Sequence, residues 1–264
     1  MQIRRLCLVL LTALGGMVHA QDGLRVCVSD VAQPPFVYWP GGQEALRNTT
    51  PQVQGLAVDV LKLIAGRVGR DSASVVALPL RRCLAMVASG QLDVLANVPT
   101  AQIDPKPFLV TESYFTLTSE YVYWKKRFPE GVAIKTVDDL QRYRVCGIAG
   151  YNYEGYGLSL NQVDMGAPSY RALVHKMASG RCDLFIDKRE TIAGLRLVDA
   201  DLFAELTGGA FVMGALTEDL PTGLHYAFSK QMPDGAAFLA RFNAALSDAR
   251  RRGEIGRLAE AYLR

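Results

Sequence analysis

The chain is poor in the residues that hold metals. It has three histidines; His175 and His225 lie far apart in sequence, His19 sits in an apolar leader, and no Cys-x-x-Cys pair occurs. A zinc site is therefore not expected, and no cofactor is implied. A block of one charge is also missing. The formal net charge is +3, and the single basic run, Arg250-Arg251-Arg252, falls on a late helical stretch where it reads as a solvated face. That argues against nucleic acid as a partner. Beyond the first residues there is no apolar run of the roughly 20 residues that a membrane span needs.

What the N-terminus does carry is an export pattern. Arg4 and Arg5 precede the apolar stretch from Leu6 to Val18, and Val18-His19-Ala20 offers small or modest residues at a cleavage position. Residues 1–20 are predicted to be a signal peptide cleaved before Gln21, placing the product in the periplasm. Cys7 follows Arg5 and Leu6 too closely to read as a lipidation site. About 244 residues would remain, enough for two domains of about 120 each. Removing Arg4 and Arg5 from +3 leaves a net charge of about +1.

Two short phrases occur twice. Arg25-Val26-Cys27 recurs as Arg144-Val145-Cys146, and Ala88-Ser89-Gly90-x-x-Asp93 as Ala178-Ser179-Gly180-x-x-Asp183. The first opens an apolar β run; the second ends a helix on glycine and turns into a strand, with Asp93 and Asp183 as turn residues. Both recur in the same order, which predicts two similar α/β lobes with a cleft between them. Cys27, Cys83, Cys146 and Cys182 survive cleavage, an even number in an oxidising compartment. Sequence alone allows three connectivities; the repeat suggests one bridge per lobe, Cys27–Cys83 and Cys146–Cys182.

Periodicity supports alternating strands and helices. Val26 and Val28 alternate with polar neighbours in a strand from Leu24 to Ser29, and a proline- and glycine-broken loop follows to Gln54. Residues 55–68, 80–89 and 170–179 have helical spacing; 74–78, 94–98, 144–148, 184–186 and 224–228 read as strands. Residues 113–124 have β composition, and a crossing to the second lobe is predicted near Glu120 to Lys125. A helical stretch from Gly235 to Leu263 is broken at Gly253. The predicted organisation is a first lobe of residues 21–120 plus 226–264 and a second of 121–225. Their parallel-rich sheets are covered by helices and joined by a two-strand hinge.

These segments together resemble the exported solute-binding proteins of family 3, the amino-acid-type receptors of ABC importers. The resemblance rests on Ser29-Asp30 with Pro35-Phe36 close behind, Gln54-Gly55-Leu56-x-x-Asp59-Val60, Ala88-Ser89-Gly90-x-x-Asp93, Asp138-Asp139-Leu140 before Val145-Cys146-Gly147, and a tail with Phe242-Asn243-x-x-Leu246. It implies a type II bilobal receptor without catalysis. Such a protein, here expected as a monomer, closes on a small polar solute and docks on a membrane permease.

The resemblance also directs attention to the C-terminal ends of the parallel strands, which face the crevice in open α/β sheets. In the first lobe these are Asp30, Gln33 (at the family's aromatic stacking position), Phe36, Tyr38 and Trp39, with core packing competing for Phe36 and a cleft rim suggested for Tyr38 and Trp39. Asn97 and Thr100 fall where the family holds a ligand carboxylate. In the second lobe Gly150, Tyr151 and Asn152 occupy a glycine turn. Two departures stand out. The family's carboxylate-binding arginine is absent, leaving Lys106 as a candidate point charge. The family's ammonium-binding acid is matched by Asp187 one residue early, with Lys188 in the expected place. Two other roles compete with import: an exported dehydratase-like enzyme on the same fold, for which Glu112 and Glu154 are the nearest acids, and a ligand-sensing subunit for a membrane signalling protein.

Overall fold

The computed structural model describes residues 23–40, 52–70, 72–149, 151, 153, 156–216 and 222–264. The predicted leader and Gly150, Asn152 and Glu154 lie outside the described residues. In chain order the elements are β1 (Leu24–Ser29), α1 (Leu56–Arg67), β2 (Ala73–Leu78), α2 (Leu80–Ala88), β3 (Val94–Pro99), β4 (Phe108–Val110), β5 (Phe115–Leu117) and β6 (Ser119–Trp124). Then come β7 (Val145–Ile148), β8 (Val163–Ala167), α3 (Tyr170–Ala178), β9 (Leu184–Lys188), α4 (Arg189–Gly194), α5 (Ala200–Thr207), β10 (Phe211–Ala215), β11 (Thr222–Ser229), α6 (Gly235–Arg251) and α7 (Glu254–Leu263).

They form two sheets. The first has the order β2-β1-β3-β11-β4, with β5 also pairing on β11; the second has the order β10-β6-β9-β7-β8. In each sheet a parallel trio (β2-β1-β3 and β8-β7-β9) is extended by antiparallel strands from the other side. Strand alternation decides what each face buries. Val26 and Val28 pack into a core with Leu56, Val60, Phe238 and Phe242, beneath α1 and α6. Cys27, between them, faces Cys83, Val87 and Leu95 on the α2 side. In the second sheet Phe185 joins Leu173 and Met177 beneath α3, whereas Leu184 and Ile186 join Leu140, Tyr153 and Leu158. Both sheets are covered on both faces, which is why their central strands are near-continuous apolar runs.

Disulfides bind the repeats as expected. Cys27 of β1 is bonded to Cys83 of α2, and Cys146 of β7 to Cys182 just before β9, with Cα separations of 5.6 and 5.7 Å. Each ties the central strand of a parallel trio to the helix or turn that leads into a later strand.

Two chain segments connect the sheets side by side. Leu117 pairs with Thr222 on the first-sheet side, and Glu120 with Ala215 on the second; Leu216 N–H donates to the Ser119 carbonyl at 3.0 Å. The sheets part at Thr118, so Ser119 and Glu120 pair within the second sheet and Thr222–Leu224 within the first.

Candidate functional site

The carboxyl ends of β3 and β9 lie beside these crossing segments, where Pro99 pairs with Leu224 and Lys188 with Ser119. Lys188 is the last residue of β9. Its buried Nζ donates to Ser119 Oγ at 2.5 Å and Thr222 Oγ1 at 3.1 Å, one hydroxyl from each crossing segment, and lies 4.3 Å from the Tyr156 ring centroid. Farther along, Gly194 at the end of α4 meets the first lobe directly. A Cβ there would lie 2.4 Å from Pro34 C and Pro35 N. Arg196 Nη2 donates to the Tyr262 carbonyl of α7 at 2.7 Å. The loop after β1 and the segment after β9 thus form the two sides of one seam.

On the first-lobe side, Gln33 and Asn97 are brought together. Asn97 has a left-handed φ of 62°. It lies where the β3–β11 ladder slips, between the pairs Ala227–Leu95 and His225–Val98. Such a bulge re-aims a side chain, and a left-handed non-glycine residue is a strained conformation that the surroundings must hold. Here they do: Asn97 Nδ2 donates to Gln33 Oε1 at 2.6 Å, and the Tyr114 hydroxyl donates to Asn97 Oδ1 at 2.5 Å. Burial pushes the Tyr114 hydroxyl well above the usual tyrosine range. Tyr114 stacks on Tyr226, ring centroids 4.7 Å apart, and Tyr226 is anchored by donating to the Ala57 carbonyl at 2.7 Å. Asp30 is half-buried at the end of β1 and Thr100 is exposed at the end of β3.

On the second-lobe side, Asp187 is 5% exposed. It follows Phe185 toward α3, where the Tyr170 hydroxyl donates to Oδ2; the Lys188 backbone N–H donates to Oδ1 at 2.6 Å. Burial raises its carboxyl to about 6, against the lowering pull of those two hydrogen bonds and of the Lys188 charge. Tyr151 lies edge-on to Tyr170 at 6.4 Å. Its hydroxyl is pushed up to about 12, first by burial and then by the Asp187 charge. Neither Tyr114 nor Tyr170 was marked by the sequence: one is an aromatic among β residues, the other a helix start.

The other aromatic and charged candidates are placed differently. Phe36 and Trp39 are core residues, 2% and 1% exposed. Phe36 packs against Phe115 at 5.3 Å, within the core of the first lobe. Trp39 is not a rim residue. Its short turn, closed by the Gln33–Val37 and Tyr38–Gln54 bridges, folds it inward with Val37. Tyr38, half-buried, packs edge-on against Tyr262 at the seam with α7. Lys106 lies at the wrong end of the first sheet. β4 runs antiparallel to β11 and begins opposite Ser229, so the chain has returned to the edge remote from the crossing segments before Lys106, whose carbonyl accepts from Lys230. Glu112 is exposed and faces Arg250 of α6, 3.8 Å away, outside the cleft. The Asp164 carboxylate and the Cys146 and Cys182 sulfurs lie within 4.8 Å of one another, but those sulfurs are joined to each other rather than available as thiolates.

Two lobes joined by paired crossings define the solute-binding class of fold. The profile of the bacterial extracellular solute-binding proteins, family 3, matches residues 24–264, and the chain belongs to that family. Among solved structures, an amino acid ABC transporter substrate-binding protein, AbpA from Streptococcus pneumoniae Canada MDR_19A bound to L-arginine, is 18% identical. It has a TM-score of 0.61, covering 92% of this chain and 94% of that one. The GluR0 ligand-binding core in complex with L-glutamate is 17% identical at a TM-score of 0.65, covering 92% and 98%. The ancestral amino-acid-binding protein AncCDT-1, a precursor of cyclohexadienyl dehydratase, is 17% identical at 0.60, covering 92% and 96%. No curated protein sequence matches the chain.

Proposed function

We propose that this protein is a periplasmic receptor that captures a small polar, amino-acid-like solute between its lobes and delivers it, as a monomer, to the permease of an ABC importer. The observation that carries the reading is the seam itself. Polar side chains that follow β1 and lie on β3 (Gln33 and Asn97) and on β9 (Asp187) lie along the seam where, among the described residues, the lobes meet. A solute held there touches both lobes only when they are closed, so binding shifts the open–closed population. The solved relatives named for amino-acid binding support the same class of ligand.

The test is thermal unfolding of the purified protein against amino acids, polyamines, oligopeptides and small carboxylates. A true ligand at a hundredfold excess over Kd adds about 2.7 kcal/mol of stability. A panel without any shift would sink the receptor reading. A second reading, an enzyme, is favoured by the buried Asp187 carboxyl raised to about 6 beside Tyr170, since perturbed acids cluster at catalytic sites. Loss of a bound solute's NMR signals with appearance of new ones would select it.

A further inference from the structure

We propose that Arg196 and the last turn of α7 form a latch, away from the crossing segments, that holds the two lobes closed when no solute is present. The latch presupposes lobes that open and close, as the receptor reading does, but it acts in the empty protein, so the two are tested apart.

The acceptor of the latch is the end of a helix. The last four carbonyls of an α-helix have no partner within it, and the helix dipole places negative charge there. α7 ends at Leu263, so the Tyr262 carbonyl is one of these. Arg196 of the second lobe, in the turn Leu195–Leu197 after α4, donates to it from Nη2 at 2.7 Å. A cation from one lobe thus caps the last helix of the other. Tyr262 is held in place from its own side: its hydroxyl donates to Asp59 Oδ2 of α1 at 2.5 Å, and its ring lies edge-on to Tyr38 at 6.4 Å.

The donor is carried on a strut that starts at the hinge. Thr118, where the sheets part, holds the start of α4 twice. Its N–H donates to the buried Glu190 carboxylate at 3.0 Å, and its carbonyl accepts from Arg189 N–H at 2.8 Å. The six residues of α4 then rise roughly 9 Å. At the far end Gly194 lies against the main chain of Pro34 and Pro35, an approach that a side chain at that position would block. Pro34 follows β1 and Gly194 follows β9, both on the side of their sheets where parallel strands end and the crevice lies. A rotation at Thr118 that parts the lobes therefore carries α4 away from Pro34 and pulls Arg196 off Tyr262. Arg196 Nε is buried with no hydrogen-bond partner among the described residues, a desolvation cost that water relieves once the seam opens. The latch consequently biases closure without locking it.

Interlobe distances measured by pulsed electron paramagnetic resonance on the purified, solute-free protein decide the matter. Spin labels go on cysteines introduced as Arg81→Cys in α2 and Glu205→Cys in α5, exposed positions of opposite lobes. The otherwise unaltered protein should show mainly a short distance. Arg196→Met should raise the longer-distance population about fivefold, the factor that one net hydrogen bond is worth. Arg196→Lys, which retains a donor, should stay near the parent. Gly194→Ala should produce the same longer distance, and Arg196→Met should add nothing in that background, because both breach one contact. If Arg196→Met loses its far-UV dichroism, Gly194→Ala reads the same contact. An empty parent protein found mostly at the longer distance, or a folded variant with an unchanged distribution, would overturn the latch. Additive opening in the double variant would place the two residues in separate contacts and overturn it as well. Opening by Arg196→Met together with a thermal panel that yields no binder would sink the receptor reading and leave the latch standing.

Discussion

Arg144 and Asp183 are bound to each other by backbone and side chain together. The Arg144 backbone N–H donates to Asp183 Oδ2 at 2.8 Å, its Nε to the same oxygen at 3.3 Å and its Nη2 to Oδ1 at 3.1 Å, while Asp183 N–H returns a bond to the Arg144 carbonyl at 2.9 Å. Nη2 also reaches the Gly180 carbonyl at 2.8 Å. The other lobe repeats the device. Arg25 N–H donates to Asp93 Oδ2 at 2.7 Å, its Nη2 to Oδ1 at 2.7 Å and to the Gly90 carbonyl at 3.0 Å, and Asp93 N–H returns to Arg25 at 2.9 Å. Gly90 and Gly180 carry φ of 78° and 71°, values that favour glycine. The repeated phrases are therefore one piece of architecture used twice. An arginine at the start of one strand clamps the turn that feeds its parallel neighbour.

The two clamps should differ in strength. Asp183 also accepts from Arg127 Nε at 2.7 Å. Burial acts to raise its carboxyl, but the Arg144 hydrogen bonds and the Arg127 and Arg144 charges outweigh it and hold it below the usual carboxylate range. Asp183→Asn should cost about 1–3 kcal/mol, as loss of a buried, charge-assisted acceptor does. Asp93→Asn, opposite a half-exposed Arg25, should cost about 1 kcal/mol or less. Because the Asp183 carboxyl is held low, its contribution is complete above the ordinary carboxylate range and fades as pH falls through its lowered value. Urea denaturation at pH 7 and at pH 3 checks both statements; equal costs for the two variants would contradict them.

The bridges close loops of different length, 56 and 36 residues apart. On loop entropy alone, each contributes about 4 kcal/mol, with Cys27–Cys83 ahead by a few tenths. Paired replacement by alanine at either site should lower stability by roughly 2–5 kcal/mol, measured by urea denaturation of the oxidised protein. Retention of full stability after both replacements would show that the lobes do not depend on them.

Gly194 and Gly256 make a controlled pair. At Gly194 a methyl would lie 2.4 Å from the Pro34 backbone, whereas at Gly256 nothing lies within 4 Å. Gly194→Ala should force the seam apart, raise the radius of gyration seen by X-ray scattering and weaken solute binding at least fivefold. Gly256→Ala, within α7, should stabilise by up to about 1 kcal/mol through helix propensity. Unaltered scattering and affinity in Gly194→Ala would show that the lobes do not close at this point.

The parts legible in the sequence were those with local rules. Hydrophobic period located β1, α1, α2 and α3, glycine marked the ends of α2 and α3, and the repeated phrases paired the cysteines. Short strands with little periodicity were missed. β8 (Val-Asp-Met-Gly-Ala) and β10 (Phe-Val-Met-Gly-Ala) carry an interior glycine and lie at sheet edges, so packing rather than propensity decides them. The direction of a loop was equally invisible. Lys106 follows Thr100 by six positions, yet the chain turns back along β11 and carries it to the far edge. Asn97 was found by position alone; its partner Tyr114 was not, because only a bulge in a ladder between distant strands brings the two together.

Asp187 gives a pH signature with a definite sign. Its carboxyl is raised to about 6 from an ordinary value of 3.8, so the folded protein binds a proton more tightly than the unfolded chain. The stabilisation this brings is fully present below the unfolded value and is lost as pH rises through about 6; the raised value corresponds to roughly 3 kcal/mol. The phenols around it, Tyr170, Tyr151 and Tyr153, are themselves pushed upward and stay neutral there. Asp187→Asn should flatten the fall in stability between pH 4 and pH 7 while leaving the loss at lower pH, to which the Asp183 clamp contributes, in place. Chemical denaturation of both proteins at four pH values across that range reads the difference directly. A wild-type profile parallel to that of the variant would mean that the Asp187 carboxyl is ionised in the folded protein at its ordinary pH, and that water reaches it.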